Sequence, residues 1–241
     1  MKRSWSRVLD TLPSLRGQTI IDLGCGPGDA AAEMAARGAR VVGFDMNEDS
    51  LREARSRRIP GADFRTVDLR GHPDLGVEAD GLWSSFSAAY FTDLAAALAA
   101  WSRNCRPGAW IAVTEIDDLF GHEPLGVRTK ELLFAYTEEG FMAGRYDFRM
   151  GRRLESALES AGFNVSLVRT LDDPELSFDG PASAEVLDSW RSRFQRMPLL
   201  RDLCGSEFEN VREEFLDCLT RADHRSLAKV VSVIAAKDVP P

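Results

Sequence analysis

The sequence predicts an α/β fold built on a mainly parallel sheet, and three observations point there. Thr19 to Leu23 is a short apolar run that ends in glycines at 24, 26 and 28 and opens into an alanine-rich stretch. That is the pattern of a buried strand, a tight turn and a helix. Strand-length apolar runs then alternate with helix-forming stretches through about residue 115, as in successive βαβ units. Finally, acids stand at the ends of the first three runs, at Asp22, Asp45 and Asp68, the edge where open α/β sheets bind ligands.

The glycine loop itself narrows the ligand. Glycine serves where the backbone takes positive φ or where a ligand approaches closely, and a helix N-terminus behind it presents unpaired N–H groups. The dinucleotide fingerprint is Gly-x-Gly-x-x-Gly/Ala, but here Asp29 occupies the third fingerprint place and Asp22 precedes the first glycine. A carboxylate at that point repels a pyrophosphate and suits an ammonium group. The order Asp-x-Gly-x-Gly-x-Gly therefore favours a cationic, amino-acid-bearing ligand over a dinucleotide. A purely structural turn is the bland alternative.

Asp45 follows Asp22 by 23 residues, about the offset of an acid that accepts both ribose hydroxyls in a βαβ unit. Asp68, at the end of a third strand (62–67), is placed to accept an exocyclic amine, with Leu69 lying against a base. A fourth strand (79–86) should run beside the first, so Ser85, Phe86, Ser87 and Tyr90 project toward the ligand. Between these strands, Asp29 to Arg37 is a helix ended by Gly38, and Asn47 caps the next helix, with Leu51 and Ala54 inward. A helix from Thr92 to about Asn104 and a turn at Arg106-Pro-Gly108 lead into a fifth strand, Ala109 to Glu115. Ahead of all this, Ser4 to Leu12 reads as a short helical arm with Trp5, Val8, Leu9 and Leu12 on one face.

Composition bounds the function. The chain has 241 residues, 44% hydrophobic and 28% charged, as in an ordinary globular protein. A formal charge of −8 argues against a generic nucleic-acid binder. Cys25, Cys105, Cys204 and Cys218 show no metal or redox spacing and read as buried, reduced thiols. No signal peptide and no run of transmembrane length is present, so the expected location is the cytoplasm, with no membrane and no nucleic-acid partner. Arginine makes up 26 of the 30 basic residues, a bias associated with GC-rich bacterial sources.

Together these residues resemble the class I S-adenosylmethionine-dependent methyltransferases, in their small-molecule branch. The resemblance rests on Asp22-Leu-Gly-Cys-Gly-Pro-Gly28, Gly43-Phe-Asp45, Val67-Asp-Leu69, Asp80-Gly-Leu-Trp-Ser84 and Arg106-Pro-Gly-Ala-Trp110. It is strong over 18–120 and continues weakly through Asp147-Phe-Arg-Met-Gly-Arg152 to Gly162-Phe163. It implies a Rossmann-like seven-stranded, mainly parallel sheet with helices on both faces and an antiparallel last strand. It also implies S-adenosyl-L-methionine as methyl donor, held by Asp22, Gly24, Cys25, Gly26, Gly28, Asp45, Met46, Asp68, Leu69, Ser85 and Phe86. Ser84-Ser-Phe-Ser87 stands where branches acting on exocyclic base amines or protein amides carry Asn/Asp-Pro-Pro-Tyr, so those substrates are disfavoured.

The remainder supplies the acceptor side of a single domain. Residues 116–125 form a loop at the ligand edge, 131–140 and 152–161 are helices, and Phe163 to Arg169 and Val230 to Ala235 are strands six and seven. The stretch between them, 171–226, is too long for a hairpin loop and forms a helical insertion, a lid or dimer element. It holds two amphipathic helices, one aligning Val186, Trp190, Phe194 and Met197, the other starting at a capping box Ser206-Glu-Phe-Glu209. Residues 1–16 are the N-terminal arm.

Candidate bases for an acceptor that must lose a proton are His122, Tyr90 and Glu115; His72 reads as solvated and His224 as structural. No metal set appears, and no metal is expected. The reading is methyl transfer to a small-molecule acceptor, in bacterial natural-product biosynthesis, by a cytoplasmic enzyme that could form a homodimer. A non-catalytic S-adenosylmethionine-binding regulator and an RNA methyltransferase are the alternatives.

Overall fold

The computed structural model describes residues 4–237, with side chains from Ser6 onward. Five parallel strands make most of the sheet: β1 (Thr19–Leu23), β2 (Arg40–Asp45), β3 (Ala62–Thr66), β4 (Ala79–Ser85) and β5 (Cys105–Asp117). Two short strands, β6 (His122–Glu123) and β8 (Arg225–Ser226), pair with each other apart from it. The last two sheet strands are β7 (Phe163–Leu171) and β9 (Lys229–Lys237). The order is β3-β2-β1-β4-β5-β9-β7, with β9 antiparallel to both β5 and β7. The expected seven-stranded, Rossmann-like sheet with its antiparallel last strand is therefore present.

Alternation along β1 sorts the core. Ile20 points to one apolar layer, Ile21 and Leu23 to the other, as period-two geometry requires. Helices α1 (Asp29–Ala36) and α2 (Glu48–Ser56) cover the first face through Ala31, Met34, Leu51 and Ala54. Helices α3 (Leu94–Trp101) and α5 (Leu154–Ser160) cover the second through Leu94, Leu98, Trp101, Leu154 and Leu158. Asn47 caps α2 as expected, its Oδ1 accepting from Asp49 N and Ser50 N. At the centre, Gly81 lets the Trp110 ring lie against β4, because a Cβ there would sit 2.2 Å from Trp110 Cε2.

Several boundaries differ from the sequence reading. The Arg106-Pro-Gly108 turn lies within β5 as a register irregularity after Ala79↔Cys105, so β5 begins earlier and ends at Asp117. The N-terminal arm is two 3-10 turns, Ser4–Arg7 and Leu9–Thr11, rather than one helix, since so short a segment gains little from α-helical cooperativity. Val8 and Leu9 are buried; Met1, Lys2, Arg3 and the side chains of Ser4 and Trp5 lie outside the described residues.

Helix α4 (Val127–Met142) is longer than expected. The insertion holds three helices rather than two: α6 (Ala184–Gln195), α7 (Pro198–Cys204) and α8 (Phe208–Thr220). Pro198 at the start of α7 ends the α6 register, so Met197 lies between helices. The Ser206 capping box is not formed: a 3-10 turn, Gly205–Glu207, precedes α8 and no side chain caps it. Glu209 is drawn instead to Arg212 and Arg201, and Glu207 to Arg128. The insertion buries Trp190, Phe194 and Phe215 against Phe120 from the loop after β5.

Candidate active site

The loop after β1 is fixed by its own backbone. Gly24, Gly26 and Gly28 all take positive φ, at 69°, 51° and 80°. Gly24 N and Cys25 N both donate to Phe44 O, at 2.8 and 3.1 Å. The Asp45 carboxylate accepts from Gly26 N and from Asn47 N, each at 2.8 Å, so it ties the loop to the end of β2. Two of the glycines differ in purpose. A Cβ on Gly24 would lie 2.5 Å from Ser87 Cβ, whereas Gly26 faces open space. Ser87 Oγ in turn donates to Leu23 O at 2.9 Å and lies 2.8 Å from Ser84 Oγ. The ends of β1 and β4 are thus locked together at the switch point of the sheet.

Beneath the loop sits a charge problem. Asp22 is buried, and its Oδ2 has no hydrogen-bond partner. Burial, reinforced by the Asp45 charge, pushes its carboxyl up to about 7. A buried carboxylate without a counter-ion is costly, and a cation delivered next to it relieves that cost.

Above the C-terminal strand ends is a cavity of about 530 Å³, within the range that takes cofactors and drug-sized ligands. Gly24, Asp45, Met46, Asp68, Leu69, Phe86 and Tyr90 line it, all anticipated from sequence. Asp68 is also bound by Arg70, through Nε and Nη2 at 3.0 and 2.8 Å, which holds its carboxyl down near 2. Phe86 has φ 56°, a conformation uncommon for a bulky residue, and so turns the chain out of β4 over the cavity.

Other anticipated residues stand elsewhere. Asp22, Cys25, Gly26, Gly28 and Ser85 are not among the lining residues. Cys25 is buried, with its thiol pushed up by burial. Gly28 packs on Phe64, and the Ser85 hydroxyl is buried without a partner.

The three candidate bases separate. Tyr90 lines the cavity, edge-on to Tyr146 at 4.8 Å; it is 55% exposed, and partial desolvation with the nearby Glu115 and Asp45 charges raises its phenol above the ordinary range. Glu115 is fully buried and accepts from Ala89 N at 3.1 Å and Ile116 N at 3.0 Å. It therefore holds the turn that carries Tyr90 and is absent from the cavity lining. His122, expected on a ligand-edge loop, belongs to β6 and is 1% exposed. Its ring contacts Trp190, Phe215 and His224, and it lines a different cavity. His224 is buried beside it. His72 is half-buried, edge-on to Trp101.

The cavity also takes residues that local reading missed. Gly144 and Arg145 arrive from the end of α4 and Phe91 from the turn before α3. Only their place in the fold brings them there. Among the described residues no group of acids, cysteines and histidines has metal-site geometry.

A family model described as "Methyltransferase domain" matches residues 20–108, the stretch that contains β1, the glycine loop, Asp45, Asp68 and Ser84–Ser87. Residues 20–108 are a methyltransferase domain of the class I S-adenosylmethionine-dependent family. The chain is 29% identical over 115 residues to a malonyl-[acyl-carrier protein] O-methyltransferase of Pseudescherichia vulneris, covering 48% of this chain and 45% of that protein. It is 32% identical over 108 residues to a trans-aconitate 2-methyltransferase of Azoarcus sp. (strain BH72), covering 44% and 42%. The chain spans less than half the length of these relatives. In fold, the methyltransferase domain and its insertions superpose on an S-adenosylmethionine-dependent methyltransferase from Mesorhizobium loti (TM-score 0.58, 18% identity, 97% of each chain). They also superpose on a Haemonchus contortus phosphoethanolamine N-methyltransferase 2 in complex with S-adenosyl-L-methionine (TM-score 0.61, 18% identity, 98% of this chain and 52% of that one).

Proposed function

We propose that the whole protein is an enzyme that transfers a methyl group from S-adenosyl-L-methionine to a small-molecule acceptor. The observation that carries this is the convergence of Gly24, Asp45, Asp68, Leu69, Phe86 and Tyr90 on one cavity at the switch point. The residues fit the donor chemically. The unpartnered, buried Asp22 Oδ2 calls for a cation, which the ligand's ammonium group provides. Asp45 suits the ribose hydroxyls, Asp68 the adenine amine, and Leu69 and Met46 the apolar faces. Gly26 leaves its side of the loop open. When bound, the sulfonium supplies the methyl group for in-line displacement by the acceptor.

The protein's part is alignment and exclusion of water. Glu115 fixes the turn of residues 88–90, and the turn aims Tyr90 at the cavity. Tyr90 is neutral at physiological pH, so it orients an acceptor by donating a hydrogen bond. The malonyl-[acyl-carrier protein] O-methyltransferase and trans-aconitate 2-methyltransferase among the relatives support a carboxylic acceptor, and the arginine bias fits a bacterial cytoplasmic tailoring role. The helices α6 to α8 serve as the roof of the site or a homodimer face. A regulator that binds the donor without chemistry is the second reading, favoured by the absence of Glu115 and His122 from the lining of the cavity.

The test is incubation of the protein with methyl-labelled S-adenosylmethionine and small-molecule extracts. Label recovered in a small molecule, with S-adenosylhomocysteine released in equal amount, is the expected result. Binding of the donor without release of S-adenosylhomocysteine would select the regulator.

A further inference from the structure

Part of the donor cavity wall is made by two side chains acting as a unit. Asp68 and Arg70 both line the cavity, on either side of the buried Leu69. Asp68 Oδ1 accepts from Arg70 N and from Arg70 Nε, each at 3.0 Å, and Asp68 Oδ2 accepts from Arg70 Nη2 at 2.8 Å. The backbone bond orients the carboxylate, and the carboxylate holds the guanidinium in a bidentate, side-on pair. Both side chains are half exposed, 50% for Asp68 and 60% for Arg70, so a ligand can reach them.

The pair leaves one acceptor and one donor open. Asp68 is held ionised by its bonds to Arg70, and an ionised carboxylate only accepts, at about two positions on each oxygen. Oδ1 already accepts twice and Oδ2 once, so Oδ2 keeps one position. The guanidinium fork carries more N–H groups than Asp68 occupies, and the outer N–H of Nη2 bonds no other group among the described residues. An acceptor and a donor therefore stand side by side, 2.8 Å apart.

The amide of asparagine or glutamine offers the same two functions side by side and pairs with adenine through them. On the Watson–Crick edge of adenine the exocyclic amine donates and the neighbouring ring nitrogen N1 accepts. A carboxylate alone would meet the amine but set its other oxygen against N1, acceptor facing acceptor. The Asp68–Arg70 pair meets both atoms. Met46, Val67 and Leu69 line the same cavity and supply apolar contact for the faces of the base.

We propose that Arg70, held in place by Asp68, reads the adenine of the methyl donor by donating from Nη2 to N1 while Asp68 Oδ2 accepts from the amine. This rests on the reading of S-adenosyl-L-methionine as donor. A base with a carbonyl and a ring N–H at these two places presents the reverse pattern and is rejected.

The test is calorimetry of the full chain with S-adenosylhomocysteine and with its 1-deaza analogue, in which N1 is a C–H. The wild type should bind the analogue about tenfold more weakly. Arg70→Met should bind the two ligands alike, and so should Arg70→Lys, which keeps the charge but loses the planar fork. If Arg70 only steadies Asp68, both variants weaken both ligands by one factor and the tenfold difference persists. If another donor reads N1, the difference persists with no loss of affinity. Either result would overturn the proposal, as would equal binding of the two ligands by the wild type. A wild type that binds neither ligand contradicts the donor reading itself, and this proposal with it.

Discussion

The proposed donor site rests most on Asp22, which is buried at the end of β1 beneath the glycine loop. Its carboxyl is raised to about 7 by burial and by Asp45, and a bound cation prefers the ionised form. The folded, ligand-free protein therefore holds a proton there below about 7 and must release it to bind. Affinity for S-adenosylmethionine should rise with pH up to about 7 and level off above it. Calorimetry between pH 5 and 8 checks this, and Asp22→Asn should bind more weakly with that slope removed. Asp45→Ala should weaken binding by about 1–3 kcal/mol, the cost of losing a half-buried charged acceptor; unchanged affinity in a folded variant contradicts the ribose role.

Glu115 gives the opposite kind of signature. Its folded pKa, about 7, lies above the ordinary 4.5 because of burial, so the folded state binds more protons than the unfolded one in that window. Its contribution to stability falls as pH rises from about 4.5 to about 7. Denaturation of Glu115→Gln across this range should show a flatter slope than the wild type.

At the level of elements, what could be read depended on distance along the chain. The β1 loop, α2 with its Asn47 cap, and the strand-end acids were legible because their signals are local. Pro198 splits the insertion into a third helix, and the periodicity of Val186, Trp190, Phe194 and Met197 hid it. The capping box failed because Glu209 and Glu207 found arginines on other turns and helices. His122 reads as a loop residue until β8, more than 100 positions later, supplies its strand partner, Ser226.

The same distance effect governs α4. Its N-terminus has no cap from its own sequence; Glu214 of α8 accepts from Gly126 N and Thr129 Oγ1. Glu214→Ala should therefore destabilise the protein by about 1–2 kcal/mol, seen as a lower midpoint in urea. An unchanged midpoint would show that this inter-helix cap contributes nothing.

Across the whole molecule, the donor cavity and the cavity lined by His122 share no lining residue and are linked through aromatic contacts. Tyr90 meets Tyr146, Tyr146 meets Phe148 at 4.7 Å, and Phe148 meets Phe120 at 5.6 Å. Gly24, Asp45 and Asp68 in the cavity lining were legible because glycine spacing and strand-end acids are local signals. Gly144 and Arg145 were not, because they reach the cavity only through the fold that brings the end of α4 to the strand ends. No helix among the described residues is long and apolar enough to cross a membrane.

The most direct test of the central claim is thermal unfolding with and without S-adenosylmethionine. A ligand held only by the folded state at about a hundred times its Kd adds about 2.7 kcal/mol of stability, so the midpoint should rise with ligand concentration. A midpoint that stays fixed at every concentration of S-adenosylmethionine and S-adenosylhomocysteine would contradict the account.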